Sequence, residues 1–395
     1  MKDLDSDRVF KFVDGVFGLQ PNDDRIVIFI DLPHGSEVDT EDWRWLREFA
    51  ARVRYLFPKK NNGRRHLMVE LVAYASTGED GAPLPKEGFL WPWGLPERLE
   101  EIPTYARQTD IAEVLRFTDC ALFATRWSAT HQLKHMVAGG HMSVRVATLP
   151  GFTAEMMPAL EVDFVEAERR AAIIKALLDQ AVSAEIWTAV ERLHCRLFVD
   201  LRHRDFVLDN GQHPYECLAS TGRILVPGQV GNGIPAETYV APYDDQGDSK
   251  TSGFLPIQHI PSELPVIYRF DHNRVVEVIG DSPVAHAERA LLKRDPTRGN
   301  LGELGFGVLD GLGAPPLRDV RDPDAVMLYL EKGGFHAALG KGGRTDAPIH
   351  RDHVFLEAYM PGVRLVSITL HMADGTTRLI MSGDNYVPDL FSLGV

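Results

Sequence analysis

The stretch Arg25-Ile26-Val27-Ile28-Phe29-Ile30 constrains the fold more than any other in the chain. After its first residue it is apolar without alternation, so both faces of the strand it forms must be covered, as in an inner strand of a parallel sheet. The residues that follow fit that setting. Trp43, Leu46, Ala50, Val53 and Phe57 recur at three- and four-residue steps, which outlines one face of a helix stopped by Pro58. His66 to Ala75 returns to a strand pattern, and the Pro/Gly-rich stretch from Gly78 to Pro103 reads as a long loop. Asp110 and Glu113 have capping-box spacing for a helix that runs into Phe117. Ala121 to Thr125 reads as a strand, Ser128 to Ala138 as a helix ended by Gly139-Gly140, and Val144 to Leu149 as another strand. Strands separated by such helices imply a parallel sheet with helices on both sides, so residues 1–160 are expected to form an N-terminal α/β domain.

A long amphipathic helix from about Glu161 to Gln180 marks the join to a second domain, residues 161–395. There the pattern changes to strands with hairpin signals. Val266–Phe270 and Val275–Ile279 flank Asp271-His272-Asn273-Arg274, and Val366–Met372 and Thr377–Met381 flank Ala373-Asp374-Gly375-Thr376, whose Asp-Gly centre favours a tight turn. Pro283 to Arg294 is an isolated helix. This half is expected to be α+β and largely antiparallel. With 395 residues and 44% hydrophobic content, the chain is long enough for two cores.

Charge narrows the classes of partner. Lys and Arg total 42 against 56 Asp and Glu, a formal charge of -14, which argues against a phosphate-binding surface and so against nucleic acid. No stretch approaches the length of a membrane span, and the acidic start Met1-Lys2-Asp3-Leu4-Asp5 lacks the apolar core of a signal peptide. Cys120, Cys195 and Cys217 are odd in number and form no Cys-x-x-Cys pair, so the expected compartment is a reducing cytoplasm.

The chemistry concentrates in the second domain. In Pro348-Ile349-His350-Arg351-Asp352-His353, a segment entering a strand, His350 and Asp352 stand two apart and would share a side, with His353 facing away. Gly333-Gly334-Phe335-His336-Ala337-Ala338-Leu339-Gly340 sets one histidine in an apolar stretch; it is either a ligand or a core histidine bonded to backbone carbonyls. Two histidines and a carboxylate suit Fe(II) or, with water, Zn(II). Glu237 stands where a glycine-rich turn enters an apolar strand, and Glu303 lies among glycines in Leu301-Gly302-Glu303-Leu304-Gly305. A buried carboxylate there needs a cation or donors. The alternative for each is a solvent-facing turn residue.

Taken together, Ile234-Pro235-Ala236-Glu237-Thr238, Leu301 to Gly305, His336 to Gly340 and Ile349-His350-Arg351-Asp352 resemble, in order, the four metal-ligand blocks of the aminopeptidase T family of metallo-aminopeptidases. Arg145 to Gly151 and the helix after it are also similar, and the likeness spans roughly Thr130 to Met381. The resemblance implies a hydrolase with one or two divalent ions (Zn, Co or Mn) held by Glu237, Glu303, His336, His350 and Asp352, with Glu237 and Glu303 also catalytic. Its substrate would be a small peptide or a related amide, and the enzyme a homodimer. One departure stands out: the family's tyrosine after the first histidine block is missing from Gly340-Lys341-Gly342-Gly343-Arg344-Thr345. The same superfamily includes Fe(II) dioxygenases that open dihydroxypyridine rings with two histidines and an aspartate. Here those would be His336, His350 and Asp352, with the glutamates as outer or acid/base groups. A biosynthetic metalloenzyme acting on a peptide or modified amino acid, and an inactive binding member, complete the alternatives.

Other signals carry less. His131 and His135 are four apart on a helix, but Gln132 stands where a zinc protease needs glutamate. Gly228 to Gly233 reads as a turn preceding Glu237 rather than a phosphate loop. Trp91 and Trp93 would belong to a lid or an interface.

Overall fold

The computed structural model describes residues 4–57, 67–79, 82–90, 96–202, 204–207, 230–232, 237–242, 249–259, 262–309, 330–340, 350–357 and 359–392. Trp91, Trp93 and Cys217 lie outside them, and Cys120 and Cys195 are buried. The chain divides into two compact units: Met1–Val165 with Asp209–Pro235 and Asp324–Tyr329, and Glu166–Leu208 with Ala236–Pro323 and Leu330–Val395.

The first unit begins with helix α1 (Ser6–Phe17), capped by the Asp5 carboxylate and closed by Gly18 in the left-handed region. Strand β1 (Arg25–Leu32), helix α2 (Glu41–Leu56) and strand β2 (Met68–Ala75) follow the apolar pattern closely. Two short strands come next, β3 (Glu87–Leu90) and β4 (Arg107–Asp110), then α3 (Ile111–Arg116), β5 (Cys120–Phe123), α4 (Thr130–Gly139) and β6 (Arg145–Thr148). β6, β5, β1 and β2 are parallel, and β3 and β4 extend the sheet antiparallel, so it is mixed rather than purely parallel. β3 falls inside the stretch expected to be loop. A Cβ on its Gly88 would come within 2.8 Å of Val72 Cγ1, so the glycine that hid the strand is what lets it pack on β2. Val27 and Phe29 share a buried cluster with Ile111, Val114 and Leu115 of α3 and Leu133 and Val137 of α4. Ile26, Ile28 and Ile30 on the other side are buried too, which accounts for the unbroken apolar run.

One carboxylate is buried at the end of β1. Asp31 accepts hydrogen bonds from Trp43 Nε1 (3.2 Å) and from the backbone N–H groups of Arg126 (2.8 Å) and Trp127 (3.4 Å). Burial outweighs these bonds and pushes it up to about 6.

Helix α5 (Phe164–Leu178) leads into β7 (Ala181–Val190), β8 (Leu193–Asp200) and β9 (Arg204–Val207). The chain then contributes β10 (Val230–Asn232) to the first unit's sheet, parallel to β6. The Gly228–Gly233 segment, expected to be a turn, therefore holds a strand; three residues between glycines are too few to show a period. The rest of the second unit comprises β11 (Glu237–Pro242), β12 (Ser252–Ile257), β13 (Val266–Asp271), β14 (Arg274–Ile279), α6 (Pro283–Arg294), β15 (Leu301–Gly307), β16 (Phe335–Gly340), β17 (His350–Val354), β18 (Arg364–Met372), β19 (Thr377–Ser382) and β20 (Asn385–Tyr386). These make an eight-stranded sheet, β14-β13-β12-β8-β7-β18-β19-β20, and a five-stranded one, β17-β16-β15-β11-β9. Both are antiparallel among the described residues.

The β13–β14 turn places His272 and Asn273 at φ 48° and 65°, the conformation a two-residue hairpin demands. Asn273 also serves the interior. Its Oδ1 accepts from Nη2 of buried Arg204 (2.7 Å), which donates as well to the Leu301 carbonyl (3.0 Å). Burial pulls that guanidinium down to about 10. No helix among the described residues is long and apolar enough to cross a membrane.

Candidate metal centre

The five-stranded sheet collects all five expected ligand positions, on four adjacent strands. Residues opposite one another in an antiparallel pair share a face, and so do residues two apart on one strand. Glu303 stands opposite Ala338, and Ala338 opposite Asp352, forming one row across β15, β16 and β17. Gly305 opposite His336 forms the next row, and Gly340 opposite His350 lies on the far side of the first. Glu237 is paired with Gly307. The register thus assigns positions 237, 303, 336, 350 and 352 to one face. The side chains of Glu237 and His350 lie outside the described residues, so only their backbone positions are placed.

Three of the five meet directly. Glu303, His336 and Asp352 each offer a ligand atom, and these atoms lie within 4.8 Å of one another. His336 and Glu303 are buried, at 1% and 8% exposure, and Asp352 is half-buried. The alternative of a solvent-facing turn residue therefore fails for Glu303, since it sits inside a fully buried strand.

The surface under these groups is made of small residues, Gly305, Gly307, Ala338 and Gly340, at the same alternation. Gly305 is required: a Cβ there would meet His336 Cε1 at 1.8 Å and Nε2 at 2.0 Å, so the imidazole lies where a side chain would be. Gly307 admits the backbone of the 3-10 turn Glu331–Gly333, because its Cβ would fall 2.2 Å from the Lys332 carbonyl carbon. That turn orients the histidine. His336 Nδ1 lies 3.1 Å from the Glu331 carbonyl oxygen, which can only accept, so Nδ1 carries the proton. Nε2 then faces Glu303 Oε1 at 3.3 Å. In the neutral imidazole both atoms are acceptors, and a proton or a cation between them is what makes the approach favourable. With Asp352 beside them, a divalent cation fits this donor set.

His353 belongs to the opposite alternation and is buried on that side, against His259. His135 is exposed on α4, and the side chain of His131 lies outside the described residues. The sequence reading missed the Glu331 carbonyl, and it counted Gly305 and Gly307 only among the glycines that leave little bulk around Glu303, not as room for the His336 ring and the Glu331–Gly333 turn. The two glycines, spaced by two in a strand, were the available signal.

No protein-family model matches the chain, and no curated protein does. Solved structures do. A 2,5-dihydroxypyridine dioxygenase from Pseudomonas putida KT2440 aligns with a TM-score of 0.58 at 12% identity, over 99% of this chain and 100% of its own. Wild-type AmpT from Thermus thermophilus aligns with a TM-score of 0.53 at 13% identity, over 97% and 98%. The chain shares its fold with both, which is the link that the four ligand blocks pointed to.

Proposed function

We propose that the chain is a divalent-metal-dependent hydrolase of the aminopeptidase kind, acting on the N-terminal residue of a small peptide or a related amide. The observation that carries this is the contact of Glu303 Oε1 with His336 Nε2, on a sheet face where Asp352, position 237 and position 350 also fall. A carboxylate on a third strand, in contact with the imidazole, suits a five-ligand set better than a three-ligand one. A divalent cation in such a set supplies Lewis acidity toward a carbonyl and lowers the pKa of a water. The residues themselves supply the rest. Burial of Glu303 and His336 strengthens every charge interaction at the site. The Glu331 carbonyl keeps His336 in one tautomer and orientation. Glu237 and Glu303 are the carboxylates available to hold and return a proton.

The second reading is a mononuclear Fe(II) ring-cleaving dioxygenase using His336, His350 and Asp352. It is favoured by the placement of those three on the adjacent strands β16 and β17, and by the fold shared with the dihydroxypyridine dioxygenase. The missing tyrosine after Gly340 also weighs toward it. Metal analysis of protein purified without chelator separates the two. About two equivalents of Zn, Co or Mn together with release of amino acid from unblocked dipeptides supports the hydrolase. One Fe with oxygen-dependent loss of a dihydroxypyridine supports the dioxygenase. No release from dipeptides with any metal removes the peptidase reading.

A further inference from the structure

β17 is the outer strand of its sheet among the described residues, with β16 as its paired neighbour. A strand held by one ladder is free to shift unless its side chains are anchored, yet β17 carries Asp352 and position 350. Its alternate residues, Arg351 and His353, belong to the other face, and both are engaged there. Arg351 Nη1 donates to Glu288 Oε1 of α6 at 3.0 Å. Glu288 is largely shielded, at 13% side-chain exposure, and its charge lies near the hydroxyl of fully buried Tyr268, whose ionisation is opposed first by burial and then by that charge. Nε2 of His259 lies 2.7 Å from that hydroxyl oxygen, and the His259 ring stands edge-on to the His353 ring, 5.2 Å between centroids. Arg351 is half exposed, and an isolated surface pair of that kind is worth little. Here the acid end is largely shielded from water, so the pair is screened less than one between two exposed groups.

We propose that Glu288, acting through Arg351, is a positioning residue for the metal centre, clamping β17 so that Asp352 stays within reach of Glu303 and His336. The inference rests on the metal-centre reading above. Metal affinity is sensitive to groups that orient ligands without touching the ion, and their loss weakens binding about 10- to 100-fold.

The test is Co(II) titration of the full chain, followed by visible absorption, with thermal unfolding of the metal-free protein measured alongside. E288Q and R351M are each expected to weaken Co(II) binding about tenfold and to alter the band pattern, while metal-free unfolding stays near wild type. R351K, which keeps the charge, is expected to remain within about threefold. R289A is the control on the same helix: Arg289 donates to the Val278 and Gly280 carbonyls and does not reach β17, so its loss is expected to leave Co(II) binding unchanged. If E288Q does not fold, R351M on the half-exposed side carries the same test. Co(II) bound through His336 with unchanged affinity in E288Q and R351M would overturn the positioning role alone, as would equal weakening in R289A. Wild-type protein that takes up no Co(II), or takes it up equally in H336A, would overturn the metal-centre reading and this role with it.

Discussion

At Gly305 a side chain is absent because the His336 imidazole occupies its space. Gly305→Ala is therefore expected to displace a metal ligand, not merely to stiffen a strand. Metal content should fall to near zero and thermal unfolding should shift down by the equivalent of about 1–3 kcal/mol, the usual cost of overpacking, measured by metal analysis and calorimetry. Asp31 gives a second residue-scale expectation, with a definite sign. Burial lifts its carboxyl to about 6, above the ordinary 3.8. The folded state thus binds the proton more tightly than the unfolded one, and stability declines as pH rises from about 4 to 6, then levels. Asp31→Asn should remove that decline, worth on the order of 3 kcal/mol, in denaturant unfolding followed across pH. A pH profile parallel to wild type would show that the proton sits elsewhere. Neither residue announced itself in the sequence. Gly305 stood out only as one of the glycines around Glu303 and Asp31 not at all, because only the packed neighbours show what each is for.

At the scale of elements, periodicity was a good guide where segments were long. β1, α2, α5, α6 and the hairpin strands β13, β14, β18 and β19 lie where apolar spacing put them. The short strands β3 and β10 were not legible, because three or four residues beside glycines carry no measurable period. The ligand strands were legible as chemistry before they were legible as a sheet. Alternation placed His350 and Asp352 together and set His353 apart, but nothing in the order of the blocks specified which strands neighbour which. The β13–β14 hairpin offers the test at this scale. Asn273 combines a left-handed backbone with one of the two acceptors of buried Arg204 Nη2, the other being the Leu301 carbonyl. Asn273→Ala should cost about 2–4 kcal/mol, read from denaturant midpoints, since it strains the turn and strips a partner from an interior charge. A loss under about 0.5 kcal/mol would mean the arginine finds another acceptor.

For the whole molecule, the division of labour was foreseen in outline: a helix-flanked sheet in one unit, antiparallel sheets bearing the candidate ligands in the other. What the sequence did not reveal is that the chain returns to the first unit to lay down β10, only four residues before β11 begins at Glu237. Ligand binding provides the global expectation. A metal that binds only the folded chain adds about 2.7 kcal/mol when present at a hundred times its dissociation constant. Chelator should therefore lower the unfolding midpoint of wild-type protein and leave that of His336→Ala unmoved. An equal drop in both would place the ion at some other set of residues. β17 carries one further consequence. Its two faces hold different chemistry in a repeat of two, the Asp352 carboxylate on one side, Arg351 and His353 on the other. Inserting or deleting a single residue within it would swing Arg351 into the acidic cluster and send Asp352 to the back, whereas a change of two would restore the arrangement; the strand counts in pairs.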